Sequence, residues 1–265
     1  MSLMSDHDLS RIRAQAPLVH NITNYVVMNS TANALLAIGA SPVMAHAVEE
    51  VEAMVALSQA LVINIGTLST PWVDAMLQAA KQAARLGIPI VLDPVGCGAT
   101  AFRTATARAL IEAARPAVIR GNASEIRALA NATGTTKGVD SLHTPDEAFT
   151  DAQALSRALG CVVSVSGPVD LIVADDQVVR VANGHPMMTR VTGMGCTASA
   201  LSGAFVAVNP QPFEAAVQAM VVMGVAGELA AEKAHGPGSF QMHFLDALYG
   251  LNDADMAKRR KTSTS

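Results

Sequence analysis

Aromatic residues make up only 3% of this chain and charged residues only 15%. With so few rings, core volume has to come from Ala, Val, Leu, Ile and Met. That composition suits closely packed helices over a sheet and leaves apolar surface for subunit burial. With so few charges and a net charge of −4, there is no basic stripe interleaved with aromatics to grip a nucleic acid. Cysteine is scarce too. Cys97, Cys161 and Cys196 form an odd set without paired spacing, which excludes a disulfide framework and a zinc site and fits a reduced, cytoplasmic protein. A long unbroken apolar run is missing: the longest lies within residues 215–231, where Gln218 and Glu228 interrupt it, so no membrane span is expected. No signal peptide is read at the N-terminus. A Walker A sequence is absent, which excludes a P-loop enzyme.

The residues that are present organise as a single α/β domain over 4–257. Met1-Ser2-Leu3, ahead of a second methionine at Met4, reads as an expression scar. Residues 258–265 open with Lys258-Arg259-Arg260-Lys261 and are expected to form a flexible, solvated basic tail rather than a binding patch. Between these limits, apolar runs at 60–65, 88–92 and 117–119 read as strands. They alternate with helices at 71–86 (Pro71 in its first turn), 101–114 and from 123 to 130. Continuously apolar strands in a β-α-β-α rhythm predict a mainly parallel central sheet with helices on both faces. Further on, 161–165, 170–174 and 177–181 read as short strands, the last two as a hairpin across Asp175-Asp176. Helices follow at 196–208, 213–234 and 240–250, and an early one at 25–38 follows the polar cluster His20-Asn21-Ile22-Thr23-Asn24.

Parallel sheets of this kind collect ligands beyond the carboxyl ends of their strands. The clusters Asn64-Ile65-Gly66-Thr67, Asp93-Pro94-Val95-Gly96, Arg120-Gly121-Asn122 and Ser166-Gly167 each follow an apolar strand. A fifth cluster opens a helix: Val191-Thr192-Gly193-Met194-Gly195-Cys196-Thr197-Ala198. A glycine turn leading into a helix aims several unpaired N–H groups and the positive end of the helix dipole at one point, which makes an anion site.

Three chemistries fit that turn. It matches G-x-G-x-x-A, with Glu214 about twenty residues on as a dinucleotide fingerprint requires. The context is wrong, because helices rather than a β-α-β unit follow and Glu214 falls in the first turn of one of them. Cys196 could be a nucleophile, its thiol acidified by the helix N-terminus, yet none of His7, His20, His46, His143, His185, His235 or His243 comes with a recognisable partner. A small residue packed at a crowded turn explains Cys196 equally well. Phosphate binding with Mg²⁺ is the third. Asp93 and Glu125 are carboxylates at the same sheet edge, where Mg²⁺ takes one or two carboxylates plus phosphate oxygens, and Arg120 ends a buried strand as an anion partner would. Each carboxylate also has a structural reading, Glu125 against the helix dipole and Asp93 capping the turn before Pro94.

Taken in order, the following strings resemble the hydroxyethylthiazole kinases of thiamine salvage, members of the ribokinase-like superfamily: Pro17-Leu18-Val19-His20-Asn21-Ile22-Thr23-Asn24, Gly39-Ala40-Ser41-Pro42-Val43-Met44, Asn64-Ile65-Gly66-Thr67-Leu68-Ser69, Leu92-Asp93-Pro94-Val95-Gly96, Ile119-Arg120-Gly121-Asn122 with Glu125, Lys137-Gly138-Val139-Asp140, Thr192-Gly193-Met194-Gly195-Cys196, and Gly236-Pro237-Gly238-Ser239-Phe240. The resemblance covers residues 17–248. It implies a ribokinase-like fold and ATP- and Mg²⁺-dependent phosphorylation of the primary alcohol of 4-methyl-5-(2-hydroxyethyl)thiazole. It also implies that Asp93 and Glu125 orient Mg²⁺ and the ATP phosphates, that Arg120 and Ser166 contact the nucleotide, and that Met44 and Gly193 line the thiazole pocket. Asn24 would lie at the junction of substrate and phosphate. A homotrimer with the thiazole site near a subunit interface is implied as well.

Most of that superfamily carries Asp at the position of Cys196 as base on the substrate hydroxyl. A thiol titrating near ~8.5 is a poor match for an alcohol proton, but phosphoryl transfer depends mostly on positioning and charge stabilisation. Cys196 is therefore assigned as a positioner or weak base, and the amides from Gly193 through Gly195 to Cys196 as the transition-state anion hole. The alternatives are a kinase for another small vitamin-precursor alcohol, a ribokinase-like lyase, and a non-catalytic thiazole-binding protein.

Overall fold

The computed structural model describes residues 7–135 and 145–264. The Lys137-Gly138-Val139-Asp140 string, His143 and the Met1-Ser2-Leu3 segment lie outside them. Helix α1 (Asp8–Gln15) leads into β1 (Leu18–Ile22), α2 (Met28–Ile38), β2 (Ser41–Val43) and α3 (Val51–Leu57). Then come β3 (Ala60–Asn64), α4 (Thr70–Leu86), β4 (Ile90–Asp93), α5 (Ala101–Ala113), β5 (Val118–Asn122), α6 (Ala123–Ala132) and α7 (Pro145–Leu159). Strands β6 (Val162–Ser166), β7 (Asp170–Ala174) and β8 (Gln177–Val181) precede a 3-10 turn, Pro186–Arg190. The chain closes with α8 (Met194–Val208), α9 (Pro212–Lys233), α10 (Pro237–Gly250), α11 (Asp253–Arg259) and β9 (Thr262–Thr264).

The strands form a nine-stranded sheet in the order β2-β1-β3-β4-β5-β6-β7-β8-β9. The first six are parallel, as the apolar runs within β3, β4 and β5 predict, and β1 and β2 join them without such a run; β7, β8 and β9 run antiparallel. Alternate residues on each strand feed two cores. Val19, Val62 and Val91 meet α1, α2, α8, α9 and α10 on one face. Ile22, Leu61, Ile63 and Leu92 meet α3 to α7 on the other.

Gly203 lets helix α8 approach the sheet closely. A Cβ there would stand 2.4 Å from Val62 Cγ2 and 3.0 Å from Val19 Cγ1. Gly203→Ala is expected to cost about 1–3 kcal/mol through overpacking, outweighing the roughly 1 kcal/mol gained in helix propensity. A lower urea midpoint would show it; an unchanged or higher one would mean that this glycine does not set the helix–sheet distance.

Several expectations are corrected. The basic segment is not a solvated tail: β9 pairs antiparallel with β8. Arg259 pairs with Glu232 at 2.7 Å, Arg260 donates to Gln218 Oε1 at 2.8 Å and Lys261 Nζ to Glu228 Oε1 at 3.0 Å. Buried Asn183 completes the latch by donating to the Arg259 carbonyl and accepting from the Lys261 N–H, both at 2.8 Å. The two polar residues that interrupt the apolar run of α9 are thus the partners of the basic segment. Helix α9 is long and apolar enough to cross a membrane, but 78% of its apolar window is buried in the protein, so core packing rather than short length explains it. His20 and Asn21, read as part of a polar cluster, are fully buried in β1, and α2 starts at Met28 rather than residue 25.

Candidate active site

The carboxyl ends of the parallel strands set out the predicted residues in spatial order. Met44 follows β2, Asn24 follows β1, Asp93 ends β4 and Ser166 ends β6, whereas Arg120, expected at a strand end, is the middle residue of β5, which runs on to Asn122. Neighbouring strands are ~4.8 Å apart, so the row from β2 to β6 spans roughly 24 Å, enough for a nucleotide triphosphate and a small ring end to end. Met44 and Ser166 mark its two extremities and are not brought together. The others cluster around the N-terminus of α8, which crosses the middle of the sheet.

A chain of amides holds the centre. Asn24 Oδ1 accepts the Val26 N–H at 3.1 Å, which fixes the amide so that Nδ2 donates to Asn64 Oδ1 at 2.9 Å and to Cys196 Sγ at 3.4 Å. Asn64 Oδ1 also accepts the Gly66 N–H at 2.9 Å, so its own Nδ2 faces Asp93 and donates to Oδ2 at 2.7 Å. Ser199 Oγ donates to the same oxygen at 2.7 Å. Asp93 is 2% exposed. Burial raises its pKa from 3.8 to about 6 and the Glu125 charge adds to the rise, while Arg120 and the bonds from Ser199 and Asn64 hold it down.

Glu125 is structural and available at once. It forms a capping box with Asn122 (Asn122 Oδ1 to Glu125 N–H at 2.9 Å, Glu125 Oε2 to Asn122 N–H at 2.8 Å) that starts α6. Its Oε1 accepts the Gly96 N–H at 2.8 Å, tying α6 to the turn after Asp93. The pair fits Mg²⁺ held largely through water and phosphate, since that ion requires only one or two carboxylates. Among the described residues there is no cluster of three His, Cys, Asp or Glu side chains that would cage a metal by itself.

Arg120 is 7% exposed, and its Nε is buried without a hydrogen-bond partner. A Cβ on Gly195 would lie 3.1 Å from Arg120 Nη1, so the guanidinium stands against the first turn of α8. The N–H groups of Met194, Gly195 and Cys196 belong to that turn, which a helix leaves unpaired. Gly193 caps it at φ +82, a left-handed conformation, and a Cβ there would be 2.6 Å from Val27 Cγ1. The turn follows a 3-10 segment rather than a strand, which removes the dinucleotide reading. Ser166 Oγ donates to the Gly121 carbonyl at 3.3 Å at the β6 end of the row.

Cys196 departs from one expectation. Burial, first, and the nearby Asp93 charge raise its pKa despite its place at a helix N-terminus. Its partner is the Asn24 amide rather than an imidazole, which leaves the nucleophile reading without a base. Sequence reasoning missed three residues. Asn64 was seen only as part of a cluster. Ser199 lies three residues after Cys196, hence on the same helix face, a spacing that could have revealed it. Arg103 gave no local sign: from α5 its Nη1 donates to the Ile65 and Val95 carbonyls at 2.8 and 2.7 Å and its Nη2 to Gly66 at 2.8 Å, locking the turns after β3 and β4 together.

The model of the hydroxyethylthiazole kinase family matches residues 9–254. A hydroxyethylthiazole kinase of Syntrophus aciditrophicus is 61% identical over 249 residues, covering 94% of this chain and 92% of that protein. The solved structure of a hydroxyethylthiazole kinase protein from Pyrococcus horikoshii superposes with a TM-score of 0.91 at 45% identity, over 98% of each chain. A ribokinase-like superfamily protein from Enterococcus faecalis shares the fold alone, with a TM-score of 0.63 at 13% identity over 94% of this chain and 89% of that one. With the Asp93–Glu125 edge, the buried Arg120 and the glycine turn of α8 in one row, and a family match running nearly end to end, the chain belongs to the hydroxyethylthiazole kinase family.

Proposed function

We propose that this chain transfers the γ-phosphoryl group of ATP to the hydroxyl of 4-methyl-5-(2-hydroxyethyl)thiazole, releasing ADP and the thiazole phosphate. The observation that carries the reading is the setting of Arg120. A buried guanidinium with an unpartnered Nε, against an unpaired helix N-terminus, attracts an anion that can supply the missing bonds. The transferring phosphoryl group is such an anion, and the amides of residues 194–196 stabilise the charge it develops.

Ser166 lies toward the nucleotide end and Met44, with Gly193, toward the thiazole end. Asp93 and Glu125 would hold Mg²⁺, which neutralises charge on the ATP phosphates when bound. Cys196 stays a thiol at neutral pH, because its pKa is raised. It positions the substrate hydroxyl next to the Asn24 amide instead of removing the proton at the outset. The bond that forms joins the alcohol oxygen to the γ-phosphorus, the bond that breaks is that between the γ-phosphorus and the β–γ bridging oxygen, releasing ADP, and the hydroxyl proton passes late to an oxygen of the transferred phosphoryl group and from there to solvent, as a loose transition state permits. A cytoplasmic homotrimer belongs to the same proposal. Exposed Tyr25, Val26 and Leu36 supply apolar surface for a subunit contact.

The test is purified protein with Mg²⁺, ATP and the thiazole. One phosphorylated thiazole per ADP is expected, and no phosphorylation by protein that binds the thiazole would overturn the reading. Faster turnover of a pyrimidine or pyridine alcohol in a substrate panel would favour the neighbouring kinase. Cys196→Ser is expected to keep measurable activity, reduced about 10- to 100-fold and without a covalent adduct.

A further inference from the structure

His20 lies in the middle of β1 and is completely buried, paired in register with Val43 of β2 and Leu61 of β3. Its Nε2 stands 2.8 Å from the Ala45 carbonyl oxygen. A carbonyl only accepts, so the proton is on Nε2, and Nδ1 is left as a buried lone pair without a partner. Leaving one ring nitrogen unsatisfied costs free energy that a leucine in the same apolar layer would avoid. The bond to Ala45 is what the imidazole provides in return.

That bond falls where the sheet stops supporting the chain. Strand β2 is three residues long, Pro42 within it has no N–H to give, and its register with β1 ends at Val43. The next three residues are Met44, Ala45 and His46. The His46 ring packs on Trp72 with centroids 4.4 Å apart, and Tyr25 packs on Trp72 at 4.7 Å. In a chain with so few aromatic residues, these rings gather beside the end of the row that Met44 occupies. The imidazole of His20 is neutral, burial holding its pKa down, so its hydrogen-bonding pattern stays the same through the neutral range.

We propose that His20 is a positioning residue for the substrate end of the site: by donating to the Ala45 carbonyl it fixes the Met44-Ala45-His46 segment, and so the wall against which the thiazole ring lies. The proposal rests on the reading of Met44 as part of that wall. It gives β1 and the turn after it separate tasks, with His20 in the strand serving the ring side and Asn24 beyond its end the phosphate side.

The test compares His20→Leu, which keeps bulk and loses the donor, with His20→Gln, whose amide can reach the same carbonyl. His20→Leu is expected to raise KM for the thiazole about tenfold, the worth of one buried hydrogen bond, with KM for ATP unchanged. Trp72, the only tryptophan, should change its emission in the same variant as His46 shifts against it. His20→Gln should return both readouts toward wild type. Equal rises in both KM values, a change in kcat or Tm alone, or a glutamine variant no better than leucine would overturn the proposal. If the leucine variant does not fold, His20→Asn replaces it, its amide being too short to reach Ala45. Met44→Ala examines the wall separately: unaltered thiazole affinity there removes Met44 from the pocket, while the His20 series still decides the role of His20.

Discussion

Asp93→Asn is expected to lower kcat about 10²- to 10³-fold while making the protein more stable at neutral pH. The amide can still accept from Asn64 and Ser199 through its oxygen, so the local bonding that now falls on Oδ2 survives. What is lost is the negative charge, which the proposed Mg²⁺ site would use and the environment resists. The folded-state pKa, about 6, lies above the ordinary 3.8. The folded protein therefore binds the proton more tightly than the unfolded chain, and stability falls as pH rises through that window. Above about pH 6 the full penalty applies, on the order of 3 kcal/mol for a gap of this size. The variant escapes it, so its Tm advantage over wild type should be absent at pH 4 and largest above pH 7.

Wild-type kcat/KM should fall on the acid side with an apparent pKa near 6. Ser199→Ala removes a bond to the ionised form and should move that limb to higher pH. A variant that is inactive and also less stable at every pH would mean that Asp93 is structural.

Arg120→Met has the second large effect. About a hundredfold loss in kcat/KM for ATP is expected, the scale of a charge-assisted contact to a transferring phosphoryl group, with thiazole affinity preserved. Stability should change little, because two effects oppose: the desolvation cost of the buried guanidinium, whose Nε has no partner, is removed, and the attraction that steadies the buried Asp93 carboxylate is lost with it. The same cation holds Asp93 down, so the acid limb should also move upward. Reduced Tm with unchanged KM for ATP would assign Arg120 to the core instead.

The difference between what could and could not be read beforehand follows from where hydrogen bonds are made. Strands β3, β4, β6, β7 and β8 announce themselves because both of their faces are apolar, and helices α4, α5, α8, α9 and α10 because their apolar runs are long. Strand β1 hides behind His20 and Asn21, each of which is buried with a single side-chain bond, to a backbone carbonyl. Strand β2 is too short to carry a period. The ligand edge was legible because Asp93 and Ser166 end their strands and the charge of Arg120 breaks the apolar run of β5, although that strand continues two residues beyond it. The links among them were not. Asn24 meets Cys196 across 172 positions and Ser199 meets Asp93 across 106, and no local pattern encodes such pairs. The basic segment misled for the same reason, since Gln218, Glu228 and Asn183 lie far upstream of it.

The sheet's two borders have a bearing on how copies of this molecule behave toward one another at high concentration. Its interior strands are apolar and rich in β-branched residues, and any of them standing at a border would offer a sticky row of free amides to a neighbour. The strands that do stand there are the three-residue β2, with Pro42 interrupting its donors, and the three-residue β9, made of Thr262, Ser263 and Thr264. Strand β8, with Val178, Val179 and Val181, is covered by β9, which the basic segment delivers to it. The latch on α9 thus gives the protein colloidal protection: it puts a short polar hem where an adhesive edge would otherwise be.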